Sequence, residues 1–360
     1  MTDQKVFRFL IYAVLTFTFI YLLNLTGFVF KPIGALLAAI AVPVIGAGFL
    51  YYITNPFVNL LEKIKVPRLL AIIIVFLLII VFIVISVYFI IPPIQDQINS
   101  LVESGPDIQQ WIEDMINIWR NGQEFIPESV QNAIDNMVDN IGQYTEQMAT
   151  SVFSFLGAFF SFLFSFILIP FFLFFMLKDR EKFIPFITNF FSESKAESLT
   201  RLLKNIDETL GSFIQGQALV SLSVGIMLLI GYLIIGLDYA LIFAIFALFM
   251  NLIPYLGPWL SAIPAVVVGF FQDPMTGVWT AVVMIVAQQI ESNLIEPNIM
   301  GKVLKIHPLT VVIIILAAGA IIGFVGLIFA VPAYAVIKTI ATHFYQEYKK
   351  TRPAGKKNIW

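Results

Sequence analysis

The chain has 360 residues, 59% of them apolar and only 12% charged, with a net charge of −2, whereas an ordinary soluble domain is about 25% charged. No soluble core hides that much apolar surface, so a soluble globular domain is excluded and lipid is the second solvent. Cysteine is absent, which removes disulfides, thiol nucleophiles and thiolate metal sites.

A helix needs about 20 uncharged residues to cross a hydrocarbon layer of about 30 Å. Charge-free runs of that order fall at Phe9–Phe30, Pro32–Leu61, Leu69–Gln95, Gln147–Leu177, Thr209–Leu237, Tyr239–Gln272, Met275–Ile290 and Pro308–Ile337. They predict an all-α polytopic membrane protein of about eight transmembrane segments. The first run is too long, and too quickly followed by a second, for a cleaved signal peptide. Segments 1 to 3 occupy residues 1–91, with Asn55-Pro56 reading as the end of the second.

Residues 92–150 are different in kind. Between Pro92 and Gln147 stand ten acidic residues and a single base, Arg120, a balance of −9 that leaves +7 for the rest. Lys and Arg gather instead at Lys5 and Arg8, at Lys63, Lys65 and Arg68, at Lys178, Arg180 and Lys182, and in the basic tail of residues 343–360. Positive charge marks the cytoplasmic side, so the acidic segment is predicted outside and both termini inside. A helix drawn from Pro93 to about Arg120 starts with Ile94, Ile98 and Leu101 as apolar positions. Past a turn near Asn121-Gly122, Val130, Ile134, Met137, Ile141, Tyr144 and Met148 follow a heptad rhythm. The segment reads as an extracellular helical hairpin.

Residues 151–177 supply the fourth transmembrane segment. Residues 178–210 then mix six basic with six acidic side chains among Phe183, Phe186, Phe190, Leu199, Leu202 and Ile206. That composition suits interfacial helices on the inner face; a plain packing connector is the alternative.

The C-terminal bundle, residues 211–342, carries two interruptions. Tyr239–Gln272 would be about 51 Å long as one helix, and Asn251 to Pro258 breaks it with Pro254, Gly257 and Pro258, which cannot all lie inside an unbroken helix. Either one kinked span or a re-entrant pair of half-helices fits. Pro308–Ile337 offers the same choice at Gly319, Gly323 and Gly326. Pro254 to Gly257 ahead of Pro264 and Gly323 to Gly326 ahead of Pro332 form a weak internal echo. Interrupted segments in corresponding positions point to a transporter's binding site, because half-helix ends expose backbone groups.

Between them lies the densest polar cluster in any apolar stretch: Gln288, Gln289, Glu291, Ser292, Asn293, Glu296 and Asn298. Carboxylates within a membrane line a cavity, pair with a partner or sit at an interface, and about 24 Å of helix from Met275 to Glu291 leaves the interfacial reading open. Gln288 with Glu291, and Asn293 with Glu296, share helix faces. Pro297 disfavours helical geometry at Glu296, which predicts that carboxylate at a helix end and ranks it above Glu291. Pathway candidates are therefore Glu296, Glu291, Asn293, Gln288, Gln289 and Asn251. His307 reads as a loop residue at a helix start.

Catalytic and cofactor signatures are missing. The chain has no G-x-x-x-x-G-K-[ST], no H-E-x-x-H, no G-x-S-x-G and no His or Cys cluster with metal spacing. No catalytic residue, cofactor or metal is expected, and the short basic clusters give no support to nucleic-acid binding.

Gly211-Ser212-Phe213-Ile214-Gln215-Gly216-Gln217-Ala218, then Asn251 to Pro258, Glu296-Pro297 with Gly301, His307-Pro308, and Gly323, Gly326 and Pro332 follow in an order and spacing that resembles the autoinducer-2 exporter family of bacterial membrane proteins. The resemblance covers essentially the whole chain. It implies a transporter in the bacterial cytoplasmic membrane, assembled as a homo-oligomer with a pentamer as the candidate state, that exports a small polar solute or signal molecule. Similar proteins have been assigned cation/proton antiport, so a monovalent cation and a proton are the alternative cargo. A non-transporting scaffold is the third class. Gln215 departs from the pattern, since a basic residue often stands there.

Overall fold

The computed structural model describes residues 4–104, 110, 114, 168–300 and 306–351, and every regular element among them is helical. Five helices there are long and apolar enough to cross a membrane: Pro43–Lys63, Arg68–Ser100, Glu193–Ile234, Pro274–Met300 and Phe324–Lys349. Shorter apolar helices accompany them. The chain is an all-α polytopic membrane protein with broken helices in its C-terminal half. The heptad seam from Val130 to Met148, most of the acidic hairpin and of the fourth charge-free run, Gly301 and the end of the basic tail lie outside the described residues.

Helices α1 (Gln4–Leu25) and α2 (Gly27–Lys63) open the chain. Asn55-Pro56 does not end the second span as expected, because α2 runs through Pro56 to Lys63. A proline leaves the carbonyl four residues back without its helical donor. Here that carbonyl belongs to Tyr52, and Gln215 Nε2 donates to it at 2.9 Å, so the side chain replaces the missing bond.

Prolines 92 and 93 likewise start no new helix. Helix α3 (Arg68–Ile85) passes through a π-helical turn, Ser86–Ile90, directly into α4 (Ile91–Glu103). The wider turn, closed by Ile91 N–H on Ser86 O, takes up the ring of Pro92 without breaking the rod. The early apolar positions read correctly: Ile94 and Ile98 are buried against Ile242.

Helix α5 (Leu168–Lys178) packs Ile169, Leu173 and Leu177 on Ala47, Tyr51 and Val58 of α2 and Ala71, Ile72 and Val75 of α3. Arg68 closes this group, donating to Leu177 O from Nε at 2.9 Å and from a guanidinium nitrogen at 2.6 Å, and pairing with Glu62 at 3.2 Å. The stretch expected as interfacial helices contains one short helix, α6 (Arg180–Thr188). Its second half belongs to α7 (Glu193–Ile234), a single rod of 42 residues that continues into the next span. Lys182 Nζ, 2.7 Å from Asp179 at the head of α6, holds that carboxyl below the usual carboxylate range.

The first broken segment is re-entrant. Helices α8 (Ala240–Met250) and α9 (Gly257–Gln272) are about 16 and 24 Å long. Gln272 Oε1 accepts from Asp238 N at 2.9 Å and its Nε2 donates to Gly236 O at 2.8 Å, so the segment returns to the level where it began. One kinked span is therefore ruled out. Val220, Val224, Leu228 and Tyr232 of α7, at steps of four, bury against Phe243, Ala244 and Ala247 of α8, Ala265 and Val268 of α9, and Met284 and Ala287 of the next helix. A Cβ on Gly257 would overlap Met250 O, so only glycine lets the two half-helices meet this closely. Gly257→Ala is expected to lower stability by about 1–3 kcal/mol, measured as a fall in the melting temperature of the detergent-solubilised protein.

Helix α10 (Pro274–Ile290) starts at Asp273, whose Oδ2 accepts from Met275 N at 2.9 Å and Thr276 N at 3.2 Å, with Pro274 in the first turn. A second π-helical turn, Glu291–Ile295, leads into α11 (Glu296–Met300). Glu296 has φ −58° and ψ −49°. It does not stand at a helix end as expected, for the reason seen at Pro92: the π turn just before Pro297 relieves the proline, and the helix continues.

Helices α12 (Pro308–Ile322) and α13 (Phe324–Thr351) form the second helix–break–helix unit, with His307 Nδ1 accepting from Leu309 N at 3.3 Å at its start. Gly323 turns the chain at φ +69° and ψ −146°, a region essentially reserved for glycine, and Gly326 sits where a Cβ would overlap Ala318 O. Pro332, which follows the glycine break in the sequence, lies inside α13. Pro264 lies inside α9 in the same way, so the echo in the sequence corresponds to two units of the same plan.

Candidate functional site

The break between α8 and α9 brings an amide to a carboxylate. Asn251 ends the last turn of α8 and is 2% exposed. Its Nδ2 donates to Glu291 Oε1 at 3.0 Å, and Gln288 Nε2 donates to Glu291 Oε2 at 2.9 Å. Each carboxylate oxygen thus has one amide donor, and no cation pairs with Glu291 among the described residues. Gln217 Nε2, from the buried face of α7, donates to the Asn251 backbone carbonyl at 2.6 Å. One turn further along that face, Ser221 Oγ is buried without a partner among the described residues.

Gln217 is ten residues from Asp207 and seventeen from Ile234 along α7, about 15 Å and 26 Å of helix. The cluster is therefore set well inside the length of α7 and not at either of its ends. Ile253 and Leu256 of the tip pack on Val311 and Ile315 of α12 and Ala330 and Val331 of α13. The second broken unit backs the first, and Asn251 and Ile253 of the non-helical turn are buried while Tyr255 at its tip is exposed.

Asn251, Gln288 and Glu291 thus come together, held by the turn that contains Pro254, Gly257 and Pro258. Gln289 and Asn293 do not join them: Asn293 Nδ2 donates to Gln289 Oε1 at 2.9 Å on an exposed face. Glu296 is also exposed, within electrostatic reach of Tyr255 of the tip, and makes no hydrogen bond among the described residues. Of the two carboxylates it is Glu291, not Glu296, that the amides hold. Gln217 was missed as a site residue, although its signal is visible: an amide between Phe213 and Val220 on a face that is apolar except for Ser221. The described residues hold no group of His, Cys, Asp and Glu fit for a metal ion; the cluster offers hydrogen bonds and one negative charge.

Residues 10–346 match the family described as "AI-2E family transporter". The relative named "Putative transport protein YueF", from Bacillus subtilis (strain 168), is 34% identical over 346 residues, covering 94% of this chain and 93% of its own. "Putative transport protein YrrI" of the same organism is 27% identical over 325 residues, covering 90% and 92%. "Putative permease PerM" of Escherichia coli (strain K12) is 26% identical over 176 residues, covering 48% and 50%. The match runs through both broken units and the polar turn between them, confirms the resemblance read from the sequence, and establishes that this multi-pass membrane protein belongs to the AI-2E transporter family.

Proposed function

We propose that the chain carries a small polar solute or signal molecule out of the cell, past the tip of the α8–α9 hairpin. The observation that supports this most is the contact of Asn251 with Glu291, which places amides and a carboxylate at the mouth of a helix break inside the span. Such a set recognises hydroxyl and amine donors, and buried Ser221 Oγ extends it along α7. Proteoliposomes loaded with labelled polar metabolites test the reading. Efflux above that of empty vesicles is expected, and none across a broad panel overturns it.

Cation/proton antiport is the second reading, favoured by the absence of a cationic partner for Glu291 among the described residues. A lone carboxylate in a membrane span costs about 2.5–3.5 kcal/mol, and a proton or a monovalent cation relieves that cost. Proton-coupled sodium flux in the same vesicles separates the two. A non-transporting scaffold gives no reason for a carboxylate held between amides.

In this reading the protein lies in the bacterial cell membrane with both termini and Lys178–Glu208 in the cytoplasm. The charge partition supports that orientation. So do contacts that gather the start of α7 with the end of α13, Ser198 Oγ to His343 Nε2 at 2.9 Å and Arg201 to Glu347 at 3.6 Å, while α4 meets the base of α8 at the other end. Cysteines introduced singly at Ser194 and Ser129 are expected to label from opposite sides of intact cells; labelling from one side sinks the orientation. Assembly as a homo-oligomer, a pentamer on the family resemblance, belongs to the same reading and is checked by native mass spectrometry.

A further inference from the structure

A cleft of about 400 Å³ opens where α2, α6 and α7 meet, at the lower end of the size range of small-molecule sites. Asp207, Gly211 and Gln215 line it from one face of α7, at steps of four. Gln217, which holds the hairpin tip, stands about 200° round the helix from Gln215. The cleft is therefore on the far side of α7 from Glu291, a second site and not the mouth of the first.

Its walls are tied together. Tyr52 Oη donates to Asp207 Oδ1 at 3.1 Å, and Arg180 lies 3.6 Å from Asp207 Oδ2. Gln215, bound to Tyr52 O, closes one side. Asn55 also lines the cleft; it is 6% exposed, and its Oδ1 has no hydrogen-bond partner among the described residues. A buried amide oxygen without a donor requires an explanation. At the rim, Lys63 of α2 and Glu208 of α7 are exposed and form no ion pair among the described residues.

Arg180 and Asp207 neutralise each other, and Lys63 and Glu208 add one charge of each sign. A simple anion or a simple cation meets as much repulsion as attraction here, whereas a dipolar ion satisfies both. We propose that this cleft binds a small zwitterion of amino-acid size, its ammonium directed to Glu208 and Asn55 Oδ1 and its carboxylate to Lys63. This goes beyond the transport reading, because binding is measured without flux.

Equilibrium dialysis of the detergent-purified full chain with tritiated L-serine tests it. L-serine is expected to bind, glycerol not to displace it, and glycine betaine, a zwitterion without N–H donors, to compete roughly tenfold less well. Asn55→Leu should weaken binding by a similar factor. Lys63→Gln and Glu208→Gln, both at exposed positions that do not hold the fold, should each weaken it about threefold or more. No L-serine binding to the parent chain, equal competition by glycerol, or undiminished binding in both rim variants overturns the proposal, whatever the flux measurements show.

Discussion

Glu291→Gln is expected to cut flux in proteoliposomes at least tenfold, while Glu296→Gln leaves it within about twofold of the parent. Glutamine keeps the shape of the side chain but turns one of its two acceptors into a donor. That donor faces Asn251 Nδ2 or Gln288 Nε2, which sit 3.0 and 2.9 Å from the present carboxylate oxygens. One charge-assisted hydrogen bond is lost, worth about 1.5–3 kcal/mol, and tenfold corresponds to about 1.4 kcal/mol. Glu296 has no such partner among the described residues, so its charge is dispensable. The pH profile separates the two functional readings. In antiport the parent's flux varies across neutral pH and the residual flux of Glu291→Gln does not, whereas a solute exporter loses rate with no change in profile. Parental flux in Glu291→Gln, with normal insertion, removes this carboxylate from the pathway.

The break at Asn251 to Pro258 was legible because it rests on local chemistry: two prolines and a glycine in five residues admit no continuous helix. Its re-entrant form was not legible, since it depends on Gln272 reaching Gly236 and Asp238, a pairing across more than thirty residues. Prolines 56, 93 and 297 misled for a common reason. Local rules assign each a helix boundary, but Gln215 supplies the missing donor in the first case and a π-helical turn precedes the proline in the other two. The ranking of Glu296 over Glu291 rested on that boundary, which the helix through Glu296 removes. The cluster's composition was visible in the run from Gln288 to Asn298, yet which members act together depended on where the hairpin tip docks. The cleft was illegible for the same reason, its residues coming from three stretches far apart in the chain.

Gln217→Leu is expected to produce the second large effect, through position and not through charge. Gln217 is 8% exposed and donates to the Asn251 carbonyl at 2.6 Å. Leucine fills the space and removes the donor, leaving a buried carbonyl at the break without that bond, at a cost of about 1–3 kcal/mol. Loss of the anchor should loosen the tip from α7 and carry Asn251 Nδ2 away from Glu291. Flux should then fall roughly tenfold for a loss of about 1.4 kcal/mol in the population of the docked tip. A cysteine at Tyr255, a residue already 44% exposed, reports the loosening: it should react faster with a thiol reagent in the Gln217→Leu background than in the parent. A merely structural role for Gln217 lowers the melting temperature without changing that labelling rate. Unchanged labelling together with unchanged flux shows that the hairpin tip needs no anchor on α7 and that the amide of Gln217 plays no part in holding Asn251 to the carboxylate.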